Sequence, residues 1–276
     1  MKTFFLFFLA AVTATSCKKD AALWEIKNLN NNTISAFGHG GMGILYRYPM
    51  NSLESLNHVL ALGADGTEFD LELSKDGQLV LYHDIYLENE TNSKGKIREK
   101  NWSDIENTKY NLPYLDRAKL ILTRHFFSHT GIDNQRIFTF DCKVEASDDP
   151  DYINGFADEL YNIISQYHIE NNAFIESYNI DFLKRLQNKD ARLKLFIHCN
   201  SYSDGLYAAQ YVHLYGLTLD RLKISKDEIT EAHKNNLHIT LFNMSSENAN
   251  IKAIEMSPDF MQTDKIEHLL KVLKKK

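Results

Sequence analysis

Between Gly63 and Asp84 the chain reads G-A-D-G-T-E-F-D-L-E-L-S-K-D-G-Q-L-V-L-Y-H-D, and no other stretch constrains the fold as tightly. Successive side chains of a strand point to opposite faces, so Glu68 and Asp70 share one face while Phe69, Leu71 and Leu73 share the other. Asp76-Gly77 is a two-residue hairpin signal, because both residues tolerate positive φ. Closed that way, Lys75 faces Gln78 and Asp70 faces His83, which brings two carboxylates and an imidazole to the base of one hairpin. Crowded carboxylates resist ionising together, and a hard divalent cation with a preference for oxygen is the usual remedy. E-x-D alone equally fits a solvated strand face; His83-Asp84 on the returning strand turns the reading toward a site.

The 276 residues, 43% of them hydrophobic, are enough for one large core. A net charge of −6 without a basic face sets nucleic acid aside as a partner. Lys2, the apolar run Phe4 to Val12 and the small residues Ala14-Thr15-Ser16 before Cys17 read as an export signal. The run is too short to span a bilayer, and its ending resembles the bacterial lipoprotein signal, in which the cysteine becomes the lipidated first residue. The expectation is therefore a signal peptide over 1–16, a lipid-anchored tether over 17–33 beginning at Cys17, and one domain over 34–276. The protein would be exported and held on a bacterial membrane, facing the periplasm or the cell surface. Cys142 and Cys199 sit in apolar strand-like runs and read as buried free thiols.

Strand patterns recur near residues 35, 67, 137, 173, 193, 222, 238 and 259, with helical patterns between them. Eight such units in a chain of this length predict a (β/α)8 TIM barrel of α/β class, with a small hairpin at the carboxyl rim. Barrel active sites lie at the carboxyl ends of the strands. His39 ends the first, Glu68 and Asp70 lie toward the end of the second, and Asp141 and Lys143 end the third. Asn51 and Glu54 suggest a capping box opening a helix through Leu62.

Taken in order, H-G-G (39–41), N-S (51–52), G-A-D-G-T-E-F-D (63–70), S-K-D-G-Q-L-V-L-Y-H-D (74–84) and D-C-K (141–143) resemble the glycerophosphodiester phosphodiesterase family. Its chains read H-R-G, E-N-T, G-A-D-x-x-E-x-D, T-K-D-G-x-x-V-x-x-H-D and E-x-K. The blocks P-Y-L-D (113–116), I-T-L-F-N (239–243) and Q-T-D (262–264) are similar to later ones, so the resemblance runs from about 35 to 270. It implies a metal-dependent phosphodiesterase that hydrolyses glycerophosphodiesters to glycerol 3-phosphate and an alcohol. Ca2+ or Mg2+ would be held by Glu68, Asp70 and Asp141, with His39 and His83 as the catalytic pair and Lys143 on the substrate phosphate. The partner is then a small phosphodiester or a lipid head group. Imidazoles that titrate near neutrality suit proton transfer to and from alkoxides.

The chain departs from that pattern at Gly40, where the family has arginine; at Met50, where it has glutamate; at Asp141, where it has glutamate; and at Thr240, where it has tryptophan. Arg47 is a candidate for the lost guanidinium, and Thr240 suggests an altered pocket wall. An aspartate with lysine two residues later also resembles the sphingomyelinase D-type phospholipases, and a phosphate-binding pseudoenzyme is the reading from a different class. Outside these blocks, His125 and His129 read as a surface pair, His198 as a satisfied polar residue with a substrate contact second, and Glu176 as a carboxylate behind the rim. Tyr46, Tyr48 and Trp102 read as packing residues.

Overall fold

The structure is a computed structural model and describes residues 24–44, 46–112, 118–131 and 133–275. In chain order it contains β1 (Ser35–Gly38), α1 (Leu53–Ala61), β2 (Gly66–Leu73), β3 (Leu79–Leu81), α2 (Trp102–Ile105), β4 (Ile121–Leu122) and α3 (Thr123–Thr130). Then follow β5 (Ile137–Cys142), α4 (Pro150–Gln166), β6 (Ala173–Ser177), α5 (Ile180–Lys189), β7 (Lys194–His198) and α6 (Tyr202–Val212). The last third holds β8 (Gly216–Asp220), α7 (Lys226–Lys234), β9 (His238–Met244), α8 (Glu247–Ile254), β10 (Phe260–Thr263) and α9 (Ile266–Val272). Strands β1, β2 and β5 to β10 pair in parallel, and β1 pairs with both β2 and β10, so the sheet closes into an eight-stranded (β/α)8 barrel. The antiparallel pairs β2–β3 and β3–β4 extend it at the carboxyl rim, over a small core of their own that includes Val80, Tyr82, Ile97 and Leu120.

Alternation along the strands explains both faces. Phe69, Leu71, Phe138, Phe140 and Cys142 belong to the large core shared with the helices. The opposite face of four strands carries Phe37, Phe174, Phe196 and Phe260, a separate buried cluster. Phe37 on β1 and Phe174 on β6 are 6.2 Å apart although those strands are not neighbours, so the cluster crosses the barrel's interior and forms its floor. Two residues further along each of these strands, on the same face, stand His39, Glu176, His198 and Gln262.

Three local expectations are corrected. The hairpin has a three-residue loop: Ser74 N donates to Gln78 O at 2.9 Å, and Gly77, at φ +77°, donates its N–H to Ser74 O. The Ser74 hydroxyl reinforces this loop, donating to Asp76 Oδ1 and accepting from Gln78 N. Register therefore shifts by one, so the buried Tyr82 stands opposite Asp70 and His83 follows one residue later. The sixth barrel strand is Gly216–Asp220 rather than a run near 222–224, because α6 stops at Val212 with His213 in a left-handed conformation. Helix α1 is capped by Ser52, which accepts from Ser55 N, rather than by Asn51.

Asn28 to Thr33 are fastened to the amino-terminal rim: Asn28 Nδ2 donates to Pro258 O, and the backbone N–H groups of Leu29 and Asn30 donate to Asp259 Oδ1. Residues 1–23, with the expected signal and Cys17, and the block 113–116 lie outside the described residues. Among the described residues no helix is long and apolar enough to cross a membrane.

Candidate active site

The carboxyl ends of the strands surround a cavity of about 870 Å³ lined by His39, Glu68, Asp70, His83, Asp141 and Lys143, among others. Parallel pairing sets Asp70 beside Asp141, and Asp141 beside Glu176. Glu68, Asp70 and Asp141 each offer one oxygen such that all three lie within 4.8 Å of one another. Glu68 Oε2 accepts from Gly40 N at 2.6 Å, whereas Oε1 is buried with no partner among the described residues. Asp70 Oδ2 accepts from the Asn51 amide at 2.7 Å, and Asn51 Oδ1 accepts from Asp70 N. Asn51 reaches it from a left-handed conformation, φ +62°, a strain that asparagine tolerates better than most residues.

One ammonium serves this group: Lys143 Nζ lies 2.7 Å from Asp70 Oδ1 and 2.6 Å from Asp141 Oδ2. Burial acts to lower its pKa, but Asp141 and Asp70 more than offset that and hold it well above the ordinary lysine range. Asp70 and Asp141 are lowered despite burial, chiefly by Lys143. Glu68 goes the other way: burial, with the charges of Asp70 and Asp141, pushes it well above the carboxylate range. Two buried acids and the half-buried Asp141 facing a single lysine, with one carboxylate oxygen unmatched among the described residues, fit a hard divalent cation held by oxygen ligands.

Each candidate histidine is held from behind by an acid. His39 Nδ1 is 2.8 Å from Asp264 Oδ1, and His83 Nδ1 is 2.7 Å from Asp84 Oδ1. Burial acts to lower the His39 pKa, but its hydrogen bond to Asp264 and that residue's charge leave it raised. With Nδ1 taken on both rings, Nε2 is the nitrogen left for proton exchange.

The departures at 40 and 50 are coupled. Gly40 has φ +53°, and a Cβ there would meet Met50 Cε at 2.6 Å and Cβ at 2.7 Å, so the methionine occupies the room of a side chain at 40. Arg47 does not replace the lost guanidinium; its guanidinium lies over the Tyr48 ring, and it is not among the cavity-lining residues. On β9 the pocket is lined by Phe242 and Asn243, not by Thr240.

Several other residues were placed by the fold alone. Asp264 appears in the sequence only as the end of Q-T-D, and nothing local ties it to His39. Glu72 is on the Glu68–Asp70 face, as its spacing implies, but its partner comes from the loop before α2. Arg98 lies 3.4 Å from Glu72 and 2.7 Å from Asp148, and donates to Lys143 O at 3.2 Å. Burial raises Glu72 to about 7 against the pull of Arg98. Glu176 accepts two contacts from Gln262 across the barrel. His198 is not the satisfied residue expected, since neither ring nitrogen has a partner among the described residues. His125 and His129 stack on each other on the exposed side of α3. Cys142 and Cys199 are buried and free.

The chain is similar to known proteins over most of its length. A curated glycerophosphodiester phosphodiesterase of Caldanaerobacter subterraneus subsp. tengcongensis is 22% identical over 234 residues, 82% of this chain and 93% of that protein. One from Bacillus altitudinis is 24% identical over 137 residues, 50% of this chain and 56% of that protein. Among solved structures, an Oleispira antarctica phosphodiesterase in complex with the product sn-glycerol-3-phosphate has a TM-score of 0.77 at 15% identity, covering 88% of this chain and 98% of that one. A glycerophosphodiester phosphodiesterase from Parabacteroides distasonis has a TM-score of 0.76 at 18% identity, covering 88% of this chain and 97% of that one. Residues 41–268, which include every residue of the acidic group, His83, Lys143 and Asp264, match the sequence model of the Glycerophosphoryl diester phosphodiesterase family, and the chain belongs to that family of phosphoric diester hydrolases.

Proposed function

We propose that the protein is a divalent-cation-dependent hydrolase of glycerophosphodiesters that releases glycerol 3-phosphate and the alcohol. The observation that carries this reading is the convergence of Glu68, Asp70 and Asp141, with Glu68 Oε1 unmatched, in one cavity with two histidines each backed by a carboxylate. Glu68, Asp70 and Asp141 would hold the cation, which would offset phosphate charge and lower the pKa of a coordinated hydroxyl. One histidine takes a proton from the attacking hydroxyl at Nε2, and the other gives a proton to the leaving alkoxide as its bond to phosphorus breaks. Lys143 supplies a fixed positive charge for the phosphate without a fork geometry. Arg98 also lines the cavity, paired with Asp148 and Glu72.

Export and a lipid on Cys17 belong to the same proposal. The attachment of Asn28 to Thr33 at the amino-terminal rim supports a particular orientation. A tether entering at this rim leaves the catalytic mouth at the opposite end of the barrel, open to soluble diesters. The test is release of glycerol 3-phosphate from glycerophosphocholine, with and without chelator, beside sphingomyelin. Chelator-sensitive turnover of glycerophosphocholine is expected. Turnover of sphingomyelin instead would select the phospholipase reading, and phosphate binding without turnover of either would select a binding protein.

A further inference from the structure

The three acids are not equally supported. Glu68 is held by the backbone N–H of Gly40 and Asp70 by the side-chain amide of Asn51, both uncharged donors. Asp141 has only the Lys143 ammonium, on Oδ2. Next to its other oxygen, 4.0 Å from Oδ1, is His198 Nδ1. That separation is beyond a hydrogen bond and within one small side-chain adjustment of it.

His198 is otherwise unexplained. It is 9% exposed, and both of its ring nitrogens lack partners among the described residues. A buried polar group left in that state is destabilising, so a residue used only for packing would be better apolar. The ring is nevertheless firmly placed. It stacks on Tyr178 with centroids 4.1 Å apart and meets Phe242 edge-on at 4.9 Å, and all three residues line the catalytic cavity.

Resting on the reading of Glu68, Asp70 and Asp141 as cation ligands, we propose that His198 is a positioning residue that donates Nδ1–H to Asp141 Oδ1 when that carboxylate carries the cation. Each ligand then has one uncharged donor: Gly40 for Glu68, Asn51 for Asp70, His198 for Asp141. Tyr178 and Phe242 fix the imidazole so that Nδ1 stays aimed at the acid. Donors of this kind behind metal-binding carboxylates typically account for 10–100-fold in metal affinity.

The test is calorimetric titration of the purified protein with Ca2+, with melting temperature recorded for each form. His198→Phe keeps an aromatic ring between Tyr178 and Phe242 but removes both nitrogens. His198→Asn keeps a donor near the position of Nδ1. The expected result is a loss of about 10–100-fold in Ca2+ affinity for His198→Phe and recovery of most of it in His198→Asn. Wild-type affinity in His198→Phe would overturn the assignment, as would equal losses in both variants at unchanged melting temperature. Absence of uptake of both Ca2+ and Mg2+ by the wild-type protein would instead remove the three-acid reading itself, and this inference with it.

Discussion

The floor and the mouth of the barrel are made by the same strands two residues apart, and they obey opposite rules. At the floor, Phe37, Phe174, Phe196 and Phe260 pack ring against ring, with Phe174 and Phe260 at 4.9 Å. The cluster contributes apolar burial and aromatic packing, with the half-buried Lys194 ammonium 5.0 Å from the Phe174 ring centroid. Two residues along the same faces stand His39, Glu176, His198 and Gln262, and beside them the three acids, where burial opposes ionisation and the Lys143 charge offsets it at Asp70 and Asp141. The floor can tolerate its surroundings because it needs no ligand. The mouth contains a carboxylate oxygen and an imidazole that have no partner among the described residues, which a structure selected only for stability would replace. A barrel can carry that cost at one end because the other end is so well packed.

Mutations should separate the two ends. The largest effect is expected for His39→Ala and His83→Ala, each lowering turnover of glycerophosphocholine by about 10²–10⁴-fold. Their unfolding free energies should change little, and full activity in either would remove the acid–base assignment. Next comes the floor: Phe174→Ala should destabilise by about 3–5 kcal/mol in denaturant titration, while Ca2+ affinity measured well below the melting temperature stays near that of the wild type. A fall in affinity would show that the ends are mechanically coupled.

A third effect depends on pH. Burial raises Glu176 to about 7, despite its Gln262 contacts. The folded protein then keeps a proton that the unfolded chain releases near pH 4.5. Its contribution to stability therefore falls as pH rises from about 4.5 to 7 and is flat above, by at most about 3 kcal/mol. In chelator, the unfolding free energy of Glu176→Gln should gain on the wild type across that window; parallel curves would contradict the raised pKa. The smallest effect is a reversal of sign. Glu68→Gln removes a carboxyl that burial and two neighbouring acids disfavour when ionised, so it should modestly raise the melting temperature without cation while abolishing Ca2+ uptake. Lower stability without cation would show that Glu68 is already compensated.

Much of this was legible in the chain because it depends on local rules. Period-two alternation assigned Glu68 and Asp70 to one face and Phe69 and Leu71 to the other, and recurrence of strand and helix patterns predicted the barrel. The misplaced sixth strand and the hairpin register had local causes of another kind. His213 ends its helix in a left-handed turn, and the Ser74 side chain stabilises a loop one residue longer than Asp76-Gly77 implies. Nothing in the spacing of residues reports such a choice.

By itself, then, the sequence determined which side chains face inward and which strand ends bear ionisable groups, since both follow from bond geometry along a single strand. Closure of the barrel decided the partnerships: Asp264 behind His39, 225 residues away, Gln262 on Glu176 across the interior, and His198 beside Asp141. Those contacts depend on how eight strands are staggered around a ring, a property of the whole packed assembly that no segment encodes alone.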